Sequence, residues 1–102
     1  MPSRRKDQLD EFLSLLEKDD MIITGDKEGY INFSGKLTID EFVKAAKESG
    51  LGTHVIFKDD EMGVVEMEAK GRGLSIGAVF TLDGESGVLA TNYCYFKRNS
   101  SH

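Results

Sequence analysis

The strongest constraint on this chain lies in its C-terminal half. From Val55 to Lys97 apolar residues recur at alternate positions in four stretches separated by short acidic or glycine-rich turns. A period of two fits a half-buried pleated strand and cannot gather apolar atoms on one side of a helix. The turns predict a meander. A turn from Asp59 to Met62 sets Lys58 opposite Gly63 and Ile56 opposite Val65. A Gly71-Arg72 turn sets Met67 opposite Ile76 and Ala69 opposite Leu74, and a turn from Asp83 to Ser86 sets Phe80 opposite Leu89. One face then collects Ile56, Val65, Met67, Ala69, Leu74, Ile76, Ala78, Phe80, Leu82, Leu89, Tyr93 and Tyr95 as the core. The other shows Glu66, Glu68, Ser75, Gly77, Val79, Thr81, Ala90, Asn92 and Cys94, small residues edged by carboxylates.

The N-terminal half reads as helix, hairpin, helix. Leu9, Phe12, Leu13 and Leu16 have the spacing of an amphipathic helix from about Ser3 to about Asp19. Arg4, Arg5 and Lys6 crowd its N-terminus, where the helix dipole prefers carboxylates, so they do not serve helix stability; a solvated terminus tolerates them. Met21-Ile22-Ile23-Thr24 and Tyr30-Ile31-Asn32-Phe33 flank a five-residue loop, in which Gly29 suits a positive φ. Thr38 and Glu41 form a capping box ahead of Ile39, Phe42, Val43 and Ala46, and Gly50 ends that helix. Asp40 and Lys44 on its solvent side are spaced for an ion pair of a few tenths of a kcal/mol. The expected fold class is therefore α+β, in the order α-β-β-α-β-β-β-β, with a mainly antiparallel meander sheet covered by two helices. Residues 1–98 are expected to form one globular domain and residues 99–102 a flexible C-terminal tail.

Length and charge narrow the functional classes. At 102 residues the chain suits one domain burying roughly two-thirds of its unfolded surface. The net charge of -5 disfavours nucleic acid, which needs clustered Lys and Arg, and permits a basic partner. No apolar run approaches membrane-spanning length, and Met1-Pro2-Ser3-Arg4-Arg5-Lys6 is followed by acidic helix-forming sequence where a signal peptide would be apolar. Together with the single cysteine, Cys94, this points to a cytoplasmic protein without contact to membrane.

Reactive constellations fail one by one. An EF-hand loop counted back from Glu41 puts Tyr30 at the first ligand position, and one counted from Asp26 puts Ile31 where glycine is required. His54, His102 and Cys94 do not have zinc-ligand spacing, even with Asp59, Asp60 and Glu61 near His54, so neither metal nor cofactor is expected. Cys94 between Tyr93 and Tyr95 reads as a buried, unreactive thiol, leaving no nucleophile beside an oriented base. Glu66 and Glu68 share a strand face by alternation alone, which weakens a two-carboxylate glycosidase reading. Lys70-Gly71-Arg72-Gly73 is a hairpin without the helix of a phosphate loop. It leaves at most a single phosphate contact, extended by Lys97 and Arg98 if the last strand returns to that edge. Aromatic interleaving of the RNA-binding kind is absent from the expected outer face.

What remains is binding by shape and charge. The first expectation is a small, acidic, non-enzymatic protein-interaction module of inhibitor, immunity or regulatory-adaptor type. It would meet a basic partner protein through its sheet face and its acidic turns, with Asp59, Asp60, Glu61, Glu66 and Glu68 as binding residues. The alternative is a small-ligand or nucleotide-binding domain with a pocket between sheet and helix and Arg72 or Lys70 at its mouth. Two further arrangements stay open. The N-terminal helix can cover the outer face through Leu9, Phe12, Leu13 and Leu16, or an exposed edge strand, Val55 to Lys58 or Gly87 to Lys97, can form a homodimer.

Overall fold

The computed structural model describes residues 8–16, 23–24, 29–71 and 73–98. The N-terminal bases, both ends of the first expected helix, most of the first hairpin loop, Arg72, and the tail with His102 lie outside them. The elements follow the expected α+β order: α1 (Gln8–Leu16), β1 (Ile23–Thr24), β2 (Tyr30–Thr38), α2 (Ile39–Glu48), β3 (Gly52–Asp59), β4 (Val64–Gly71), β5 (Leu74–Leu82) and β6 (Leu89–Arg98). All six strands join one antiparallel sheet in the order β1-β2-β6-β5-β4-β3. The first hairpin thus enters the same sheet, through β2 against β6.

Local chemistry sets the element ends. Glu41 N–H donates to Thr38 Oγ1 at 3.2 Å and Thr38 N–H to Glu41 Oε1 at 2.9 Å, closing the capping box that starts α2. Gly50 ends it at φ 81°, and Gly29 also has positive φ, 86°. Asp59 Oδ1 accepts from the N–H groups of Glu61 and Met62, both at 3.1 Å, and fixes the β3–β4 turn. Asp83 accepts from the Ser86 hydroxyl at 2.8 Å and does the same between β5 and β6.

Both helices pack on one face of the sheet. Phe12 of α1 meets Phe42 of α2 edge to face at 5.5 Å, and Phe42 meets Phe80 of β5 in the same manner at 5.4 Å. All three rings are fully buried, each a burial of about 1.5–3 kcal/mol. Ile31, Leu37, Ala69, Ile76, Ala78 and Cys94 complete the sheet side of this core, and Leu9 and Leu16 close it from α1. Gln8 Nε2 donates to Ser49 O at 3.1 Å and ties the start of α1 to the end of α2. The arrangement with α1 over the outer face is therefore corrected: α1 leans on α2, and among the described residues neither helix lies over the opposite face.

Three irregularities correct the expected register and faces. In β3 the partner shifts by one residue between Val55 and Phe57, so that Lys58, not Ile56, stands opposite Val65. Ile56, expected inside, is 46% exposed. Between β5 and β6 the partner shifts between Gly77 and Thr81. Leu89 and Thr91 stand on the core side, but beyond the irregularity Cys94 and Phe96 do, and Tyr93 and Tyr95 move to the outer face. The third lies in β2 between Asn32 and Leu37. The β4–β5 register is displaced by two from expectation, with Met67 opposite Ala78 and Ala69 opposite Ile76, which leaves the faces unchanged. Leu82, also expected inside, is 56% exposed at the strand end. Gly87 to Lys97 is no edge, since β6 lies between β2 and β5.

Truncation separates the two classes of apolar position. Phe42→Ala is expected to lower unfolding free energy by about 3–5 kcal/mol and Leu82→Ala by less than about 1 kcal/mol, measured by urea denaturation.

Candidate functional site

The sheet face away from the helices is the surface that the fold leaves open. Its residues follow from strand pairing: Tyr30 stands beside Tyr95 and Asn32 beside Tyr93, then come Ser75, Gly77 and Val79 of β5, Glu66 and Glu68 of β4, and His54 and Phe57 of β3. Tyr30 and Tyr93 rings lie 6.3 Å apart in a tilted pair. The face expected to lack aromatic rings thus carries three tyrosines. The signal of two of them in the sequence, the Tyr-Cys-Tyr run of β6, was legible, but its face depended on the irregularity before it.

Gly77 makes room for Tyr95. A Cβ at that position would overlap the Tyr95 ring, so the absence of a side chain lets the ring lie flat across β5 and reach β4. There the Tyr95 hydroxyl donates to Glu66 Oε2. Burial, and then the hydrogen bond to the Glu66 carboxylate, push the Tyr95 hydroxyl well above its ordinary range. It stays a neutral donor at physiological pH.

Glu68 sits between two partners. Ser75 Oγ donates to its Oε2 at 2.6 Å, and His54 Nε2 lies 3.0 Å from its Oε1. The Ser75 bond does most to lower its pKa; burial opposes it, and the charges of Lys70 and His54 add to the lowering. The result is a fixed carboxylate, suited to attracting a cation and unsuited to delivering a proton. The order of contacts also differs from a nucleophile relay: the carboxylate stands between serine and histidine, whereas activation of a serine requires the histidine between them.

The five expected binding residues fall into two groups. Glu66 and Glu68 lie on the open face, while Asp59, Asp60 and Glu61 form the tip of the β3–β4 hairpin. Asp60 pairs with Lys58 at 3.7 Å on the surface. A cleft of about 350 Å³ at this tip is lined by Asp59, Asp60, Val64, Val65, Leu82 and Leu89 among others. The opposite end of the sheet is basic, because Lys97 and Arg98 return to the level of Ser75 and Leu74, next to Lys70.

The space between α2 and the sheet is filled by Phe42, Phe80, Leu37 and Ile76, all buried. A shallow groove of about 280 Å³ lies instead between the helices, lined by Leu15, Leu16, Glu41, Lys44, Ala45 and Glu48. His54 is on the open face and Cys94 inside the core, so the two do not meet. Burial pushes the Cys94 thiol up to about 12, which keeps it protonated and unreactive. Among the described residues no three His, Cys, Asp or Glu side chains converge as metal ligands, and no helix is long and apolar enough to cross a membrane. No protein-family model, curated protein or solved structure matches the chain.

Two measurements probe this face. Because the Glu68 pKa is lowered on folding, its contribution is present above the unfolded value near 4.5 and is lost as pH falls through the folded one. The stability gap between wild type and Glu68→Gln should therefore narrow between neutral and acid pH in denaturant titrations. Gly77→Ala should displace the Tyr95 ring and cost about 1–3 kcal/mol, seen as a lower Tm and a changed ring environment for Tyr95 by NMR.

Proposed function

We propose that this chain is a small non-enzymatic protein-interaction module, of inhibitor, immunity or regulatory-adaptor type, that binds a basic segment of another protein on its open sheet face. The observation that carries the reading is the juxtaposition of Tyr30, Tyr93 and Tyr95 with the carboxylates of Glu66 and Glu68 on a face that no described helix covers. Tyrosine rings hold lysine or arginine by cation–π attraction of about 0.5–1 kcal/mol at exposed sites, and fixed carboxylates add charge-assisted hydrogen bonds. Rigid aromatic rings also lose little conformational entropy on binding, which suits a recognition surface. The same carboxylates repel phosphate, which supports a protein partner over nucleic acid. Cys94, a free thiol, supports action in a reducing compartment such as the cytoplasm.

The hairpin-tip acids Asp59, Asp60 and Glu61 act in this reading as long-range attraction, raising the encounter rate with a basic surface. No specific observation favours the small-ligand alternative. Titration of the labelled full chain with a short Lys/Arg-rich peptide tests the reading. Shifts should cluster at Tyr30, Glu66, Glu68, Tyr93 and Tyr95, weaken with salt, and fall at least several-fold in affinity in Tyr93→Ala and Glu68→Gln. Shifts confined to the helices, or affinity unchanged in both variants, would overturn it.

A further inference from the structure

We propose that the chain forms a twofold homodimer by antiparallel pairing of β3 with β3 of a second copy. β3 is the terminal strand of the sheet, so one side of its backbone has no strand partner among the described residues. Such an edge calls for another strand, because on either side of the irregularity at Ile56 its outward N–H and C=O groups have no strand to pair with among the described residues. Three consecutive large apolar residues stand on it about half exposed, Val55 at 51%, Ile56 at 46% and Phe57 at 51%. Both faces of the edge are therefore apolar. Proteins usually blunt an edge with bulges and lysines. Here Lys58 is at the strand end, and the irregularity at Ile56 exposes a further apolar residue in place of a charge.

That irregularity also makes the strand complementary to itself. Thr53 and Val55 stand on the core side, opposite Ala69 and Met67, and so does Lys58, opposite Val65; His54, Phe57 and Asp59 stand on the open side, opposite Glu68, Glu66 and Val64. Residues paired across an antiparallel ladder must point to the same face. A twofold axis through Ile56 would oppose Val55 to Phe57 and violate this. An axis between Ile56 and Phe57 satisfies it: Val55 meets Lys58 of the second copy and His54 meets Asp59 of the second copy on the open face.

Charge complementarity at larger scale identifies the occupant as a second copy. The sheet is acidic at one end, with Asp59, Asp60 and Glu61. It is basic at the other, where Lys70 of the neighbouring strand stands opposite Gly52. Antiparallel pairing lays the acidic end of each copy against the basic end of the other, and Glu61 of one copy comes level with Gly52. Ile56 and Phe57 of each copy meet at the centre. Because the axis is normal to the sheet, the open tyrosine faces of the two copies lie on the same side, in one continuous twelve-stranded sheet made of two six-stranded ones.

Sedimentation equilibrium of the full chain over a range of concentrations, with backbone amide exchange, tests the proposal. Wild type should sediment at twice the chain mass and show slowed β3 amides as concentration rises. Val55→Lys and Phe57→Lys, on opposite faces of the edge, should each sediment as monomers with unchanged circular dichroism, while Leu15→Lys, an exposed apolar residue on α1, stays dimeric. A monomeric wild type throughout, or a dimer that persists in both edge variants, would overturn it.

Discussion

Everything else in this structure depends on the edge-to-face contact of three phenylalanines, Phe12 against Phe42 and Phe42 against Phe80. It joins α1, α2 and the sheet in a single line, so both helices bury their apolar stripes on the same side. A short chain has little apolar material to spare, and concentrating two helices and one sheet face in one core gives the largest burial per residue. The consequence is that the second sheet face receives no helix from the described residues.

That open face is not simply the polar half of an amphipathic sheet. Tyr95 lies across Gly77 and donates to Glu66, Ser75 and His54 hold Glu68, and Tyr30 and Tyr93 form a ring pair beside them. Each carboxylate has a neighbour that fixes its position, and Glu68 is held ionised. Fixed rings and fixed charges are what recognition of a cationic segment requires, since few rotamers are lost on binding.

Much of the fold was legible because local signals agreed with one another. Thr38 with Glu41, Gly50, Asp59 and Asp83 each marked an element end through hydrogen bonds that short-range chemistry dictates. The identity of Val65, Met67, Ala69, Ile76, Ala78 and Phe80 as core survived a two-residue error in the β4–β5 register, because a shift of two preserves the face. The candidate site was less legible for the complementary reason. One irregularity in β6 exchanges the faces of Cys94, Tyr93 and Tyr95, and one in β3 moves Ile56 to the exposed edge; neither bulged stretch has a glycine or proline of its own, and only Gly77 on the partner strand flanks the first. Side chains beyond such a point follow the geometry of the partner strand, which alternation within a single strand does not encode.

The one-sided placement of the helices is tested most directly by NMR of the full chain in the presence of a soluble paramagnetic agent, combined with nuclear Overhauser contacts between side chains. The Phe12–Phe42–Phe80 line predicts strong contacts from Phe42 to both other rings, with Tyr30, Tyr93 and Val79 resonances broadened by the agent and Phe12, Phe80 and Cys94 untouched. Contacts from α1 side chains to Val79 or Tyr93, with those residues protected from the agent, would contradict it.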